Sequence, residues 1–121
     1  KFIVYLFFWL TIVGSPALAQ SVKDTINPNG YNVFHYPDGI VSSEGTMRDG
    51  KPDGYWKNYY ETGVLKSEGN RKNFQLDSLW RFYNDEGKLT MEISYKEGKK
   101  NGYRITHNPT GISKENFVND V

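Results

Sequence analysis

The sequence predicts an all-β protein: an antiparallel meander of about four 24-residue β-hairpin repeats forming one elongated twisted sheet. Three observations carry this. Gly39, Gly63, Gly87 and Gly111 recur at a constant spacing of 24 residues, and a fixed period in this range marks a repeat architecture. Each glycine closes a similar polar turn: Pro37-Asp38-Gly39, Glu61-Thr62-Gly63, Asp85-Glu86-Gly87 and Pro109-Thr110-Gly111. The segments between turns are aromatic-rich or alternate in polarity, and no amphipathic helical stretch follows residue 19.

The chain opens on a segment outside the repeats. Lys1 precedes an apolar run from Phe2 to Val13, Gly14-Ser15-Pro16 breaks it, and Ala17-Leu18-Ala19 has small residues at the cleavage-type positions. Residues 1–19 are read as a secretory signal peptide, which places the mature chain in the periplasm or outside the cell. The apolar run falls short of the roughly 20 residues a spanning helix needs. Residues 20–28 are polar, contain Asn27-Pro28, and are read as a flexible lead-in.

Four units follow: 29–52, 53–76, 77–100 and 101–121. In each, a first strand leads into the glycine turn. Tyr55-Trp56-Lys57-Asn58-Tyr59-Tyr60 and Leu79-Trp80-Arg81-Phe82-Tyr83-Asn84 are the clearest examples, rich in the aromatic residues that favour strands. Pro presets the first corner of the turn in the first and fourth units, and glycine takes the left-handed position after it. That requirement explains why Gly39, Gly63, Gly87 and Gly111 are the fixed points of the repeat. The returning strand is plainest where Leu89, Met91, Ile93 and Tyr95 alternate with Thr90, Glu92, Ser94 and Lys96, which makes one face buried and the other wet. The second connection carries glycine in Asp49-Gly50 and Glu97-Gly98 but not in Asn73-Phe74, so the latter is expected to take a different shape. The fourth unit is expected to end before its closing turn.

Composition narrows function. The chain carries 15 basic and 14 acidic residues, and cleavage after Ala19 would remove only Lys1 among them. A near-neutral balance argues against nucleic acid as a partner, because phosphate binding draws on a basic excess. Cysteine is absent, which excludes disulfides, a thiol nucleophile and a thiolate metal site.

The aromatics Tyr55, Trp56, Tyr59, Tyr60, Trp80, Phe82, Tyr83 and Tyr103 are the material for either a core or a recognition stripe. Strand alternation forbids burying all of them. Trp56 and Trp80 sit at an odd offset from Tyr59 and Tyr83, so the two pairs should project from opposite faces. Trp56, Tyr60 and Trp80 are the candidate partner-binding residues if they prove exposed. His35 and His107 share a repeat position six strands apart, about 29 Å. They cannot share a metal or a proton and are read as solvent-side strand residues. Glu44, Glu68 and Glu92 form a ladder two strands apart, about 10 Å, too wide for a calcium site. Cross-strand pairing with Lys or Arg is expected for them. Asp49, Gly50, Asp53 and Gly54 lack the acidic spacing of a calcium loop, with Pro52 interrupting them. No nucleophile elbow or phosphate-cradling loop occurs, so neither catalytic residues, metal nor cofactor is expected.

The run Asp53-Gly54-Tyr55-Trp56, Tyr59-Tyr60-Glu61-Thr62-Gly63 and Val64-Leu65-Lys66-Ser67-Glu68-Gly69 resembles the bacterial variant of the MORN repeat (membrane occupation and recognition nexus). Leu79-Trp80, Tyr83-Asn84-Asp85-Glu86-Gly87 and Lys88-Leu89 resemble it with Ser78 in place of the first glycine. The first and last units depart from the pattern, with Asn32 and Arg104 where the tryptophan would stand. The resemblance implies hairpin repeats, and because no convergent polar cluster is visible an enzyme is the least expected class. The resemblance also implies a role in protein or membrane-surface interaction, and, through one branch of the family, an antitoxin-like role against a toxin. The expected function is therefore an exported binding or scaffolding surface whose partner is another protein. The alternatives are an inhibitor of a toxin, or a binder of cell-envelope glycan or of a lipid surface.

Overall fold

The computed structural model describes residues 24–121, so the segment read as a signal peptide and the start of the lead-in lie outside the described residues. Eight strands run in chain order: β1 (Tyr31–His35), β2 (Val41–Arg48), β3 (Lys51–Tyr59), β4 (Leu65–Lys72), β5 (Gln75–Tyr83), β6 (Leu89–Lys96), β7 (Lys99–Asn108) and β8 (Gly111–Phe117). All neighbours pair antiparallel in a single open sheet of order β1 to β8. This is the expected meander, with β1 and β8 as its two edges.

The glycine turns take the predicted form in three units. Gly39, Gly63 and Gly87 have φ of 91°, 87° and 80° and donate to the carbonyls of Tyr36, Tyr60 and Asn84 at 2.9, 2.9 and 3.0 Å. A type I turn followed by a left-handed residue adds one residue to the loop and shifts the strand register beside it. Shifts occur at Phe34/His35, Asn58/Tyr59 and Phe82/Tyr83. The fourth unit differs: Asn108 pairs directly with Gly111 without a shift, so Pro109-Thr110 is a two-residue loop and Gly111 begins β8.

The second connection corrects the expectation for Asn73-Phe74. Asp49-Gly50, Asn73-Phe74 and Glu97-Gly98 have φ pairs of 50°/74°, 49°/74° and 51°/77°. All three are two-residue turns with both central residues left-handed, the form whose twist matches a hairpin. Asn119-Asp120 repeats it at 50°/74°, with Val118 and Val121 exchanging backbone bonds. The fourth unit therefore does contain its closing turn. These turns are tied together. The amides of Gly50, Phe74, Gly98 and Asp120 donate to the carbonyls of Pro28, Pro52, Leu76 and Lys100, four acceptors spaced 24 residues apart. Phe74 is forced into the glycine conformation because its amide is a rung of this ladder.

Pro28 supplies the first rung, and Asp24 and Asn27 of the described lead-in are bonded too. Asp24 accepts from the His35 amide at 2.8 Å and meets its ring Nδ1 at 2.6 Å. Asn27 exchanges backbone bonds with the side chain of Asn32.

Candidate binding surface

The two faces of the sheet have different chemistry because each row of paired residues repeats every two strands. One face carries the row Asn32, Gly45, Trp56, Gly69, Trp80, Ile93, Arg104 and Glu115, each paired to the next. Trp56 and Trp80 lie down across the glycine of the preceding strand. A β-carbon at Gly45 would fall 2.3 Å from the Trp56 ring, and one at Gly69 2.5 Å from the Trp80 ring. The indole N–H groups donate to the carbonyls of Thr46 and Asn70 at 2.9 and 2.8 Å. Phe34 stacks on Trp56, while Phe82 and the Arg71 guanidinium cover Trp80. This leaves Trp56 and Trp80 only 5% and 2% exposed. Among the described residues there is one sheet and no second layer, so apolar area hidden this way is the main favourable term.

The terminal units follow the same logic. Asn32 takes the tryptophan position at the β1 edge, is 3% exposed, and turns its amide to the lead-in. At the other end, Ile93 replaces the glycine, so no ring could lie flat there. Arg104 occupies the tryptophan position instead, bonded to Glu115 and lying 5.1 Å from the Phe117 ring.

The opposite face corrects the site expectation. Trp56 and Trp80 are withdrawn from contact by their burial. Tyr60 is a staple: its hydroxyl donates to the Tyr83 carbonyl at 2.8 Å, and Lys66 lies 5.4 Å from its ring. Tyr36 does the same to the Tyr59 carbonyl one unit earlier. Among the exposed large side chains, Tyr31, Tyr55, Leu79 and Tyr103, at 58%, 49%, 41% and 50%, share one repeat position. They stand 24 residues apart, one per unit, on a single face. Each is paired across its hairpin with a small polar residue: Thr46, Asn70, Ser94 and Asn116. Tyr55 and Tyr103 stand out in the sequence as aromatics, but the candidates it favours are Trp56, Tyr60 and Trp80. The parity of Tyr55 against Trp56 was the signal that separated them.

Beside this stripe runs a charged row: Glu44, Lys57, Glu68, Arg81 and Glu92. The expected Lys and Arg neighbours are there in register, and Arg81 pairs with Glu92 as expected, but the bonds of Glu44 and Glu68 go to tyrosines. Tyr31 donates to Glu44 at 2.7 Å, Tyr55 donates to Glu68, and Tyr83 donates to Glu68 at 2.7 Å. Glu92 meets Arg81 at 3.4 Å and His107 at 3.3 Å. His107 occupies the repeat position of Tyr59 and Tyr83. His35 occupies it too, and Asp24 stands to it as Glu68 does to Tyr83 and Glu92 to His107. The reading of both histidines as solvent-side residues is thus corrected: each is half-buried against a carboxylate.

The electrostatics follow from these bonds. Burial pushes the Glu68 carboxyl up, but the Tyr55 and Tyr83 hydroxyls, with Lys57 and Arg81 nearby, outweigh it and hold the group below its usual range. Burial first, and then the bond to Glu68, push the Tyr83 phenol up to about 12. The Glu44 bond raises Tyr31, and burial with the Glu68 bond raises Tyr55. The hydroxyl edges of Tyr31 and Tyr55 are therefore fixed by carboxylates, while Lys114 lies over the Tyr103 ring, 3.6 Å from its centroid.

Residues 52–73 and 76–97 match the family model of the MORN repeat variant. The two matched stretches are the hairpins β3–β4 and β5–β6, the units that keep a tryptophan. No curated protein matches the chain. The matched units are the inner ones, and the unmatched flanking units are those where Asn32 and Arg104 close the tryptophan row.

Proposed function

We propose that this is an exported, non-enzymatic scaffold that holds another protein against the tyrosine face of its sheet. The observation that carries this reading is that one repeat position holds an exposed large side chain in every unit: Tyr31, Tyr55, Leu79 and Tyr103. A row of rigid aromatic flanks rimmed by polar groups has the composition of a contact surface. MORN repeats are often protein- or membrane-binding modules, which agrees with this use. Export is supported by the leader-like pattern of residues 1–19.

The test is site-specific photo-crosslinking in the native cell envelope. A crosslinking residue at position 103 is expected to capture a protein, and one at position 113, exposed on the opposite face, is not. Equal capture from both positions, or from neither, would overturn the reading. The antitoxin-like alternative rests on the family resemblance, and capture of a toxin from position 103 would select it.

A further inference from the structure

We infer that β8 slides between two registers against β7, two residues apart, and that only one of them sets Lys114 over the Tyr103 ring. The last hairpin breaks the period that the other three keep. Tyr31, Tyr55, Leu79 and Tyr103 pair with Thr46, Asn70, Ser94 and Asn116. The first three partners are 24 residues apart, and the last interval is 22. At the repeat's own spacing Tyr103 would face Val118, Ile105 would face Asn116 and Arg104 would face Phe117. A slip of two residues keeps every side chain on its own face of the sheet. β8 is exposed from Gly111 to Asn116 and has no partner on its outer side among the described residues. Only the β7 ladder holds it.

Loop and strand favour different registers. Asn108-Pro109-Thr110-Gly111 carries the proline and glycine of Tyr36-Pro37-Asp38-Gly39. In the first unit those residues make a turn that ends on a left-handed glycine, with the Tyr36 amide donating to the Ile40 carbonyl at 2.8 Å. In the fourth they are held as a two-residue loop. Such loops favour left-handed conformations at both central residues. Proline cannot adopt one, and Thr110 does not. The loop therefore pulls toward the repeat register, and the far end of β8 pulls the other way. Asn119-Asp120 supplies a left-handed pair in the observed register. The repeat spacing would give the first of those positions to Val121, a β-branched residue disfavoured there. Arg104 donates to Glu115, and Lys114 lies 3.6 Å from the Tyr103 ring centroid. The Arg104 contact is incomplete, because its Nε is buried without a hydrogen-bond partner. Sliding carries Lys114 from opposite Ile105 to opposite His107, about 7 Å along the strand, and off the Tyr103 ring. The slide does not depend on the tyrosine face being the contact surface.

The chain has no cysteine, so introduced pairs report the register through mild oxidation. A disulfide needs Cα atoms within about 7 Å and Cβ atoms that face each other. Ile105→Cys with Lys114→Cys reports the observed register, and Ile105→Cys with Asn116→Cys the repeat one. Ile105→Cys with Ser113→Cys, whose side chains project from opposite faces, reports fraying. The first two pairs are expected to oxidise, and the third at least tenfold more slowly. Pro109→Asn with Thr110→Gly suits a two-residue loop. It should slow the Ile105–Asn116 crosslink at least tenfold, leave the Ile105–Lys114 crosslink unchanged, and move the Lys114 Hε resonances further upfield. Amide relaxation dispersion on the unsubstituted chain should place exchange in residues 108–121, with a minor state of about 1–10%. An Ile105–Asn116 pair that stays reduced, a fraying pair that keeps pace with it, or a loop variant that changes neither the crosslink nor the Lys114 resonances overturns the inference.

Discussion

The indole of Trp80 lies against the backbone of Gly69, its paired residue on the adjacent strand, with no room for a β-carbon between them. Trp56 and Gly45 repeat the arrangement. Large and small residues thus alternate along one row, and this packing substitutes for a second layer. Gly69→Ala should destabilise the protein by about 3 kcal/mol, because the ring must lift off its seat and lose its bond to the Asn70 carbonyl. Gly39→Ala meets nothing nearby and should cost only about 1 kcal/mol, from its left-handed φ. Urea unfolding followed by tryptophan fluorescence checks both, and equal losses would refute the packing account.

Phe74 and Ser78 carry strain that other units relieve with glycine. Their φ values are 74° and 60°, where Gly50 and Gly54 hold the equivalent positions at 74° and 110°. A bulky residue in this region is an outlier. Phe74→Gly should therefore raise stability by about 1 kcal/mol, even though it removes a 62%-exposed ring and its contact with Arg71. Thermal unfolding of the single variant is the measurement, and a fall in the midpoint would show that the contact outweighs the strain.

Tyr83 and Glu68 predict a pH dependence at both ends. Glu68 is held below its ordinary value, so its contribution is present above about pH 4.3 and is lost as pH falls through the lower folded value. Tyr83 is raised to about 12, so its contribution is present below about pH 10 and is lost as pH rises through that folded value. Tyr83→Phe should cost about 1 kcal/mol at neutral pH and flatten the loss of stability on both sides. Urea midpoints measured from acid to alkaline pH report it.

Asp24 caps the free edge of β1 by accepting from the His35 amide. Removing it in Asp24→Ala exposes that donor and leaves a strand edge open to pairing. The variant should self-associate more readily at equal concentration, as read by sedimentation velocity. His35 holds Asp24 below the usual carboxylate range through both its ring and its amide, so the cap is present above the ordinary aspartate value. It is lost only as pH falls through the depressed one.

The hairpin period, the strand alternation and the left-handed glycines were legible in the sequence because each depends on a few adjacent residues. The opposite projection of Trp56 and Tyr59 was legible for the same reason. Which side would be buried was not. Trp56 is hidden by Gly45, a residue on another strand whose smallness matters only once the register sets the two side by side. Asn73-Phe74 was misread because its shape is imposed by the Pro52 carbonyl one unit earlier, against its own local preference. Adjacent residues set how often the backbone reverses and which side chains share a face. That the tryptophans form the core and the tyrosines the surface follows from strand pairing, because burial depends on what the neighbouring strand leaves empty.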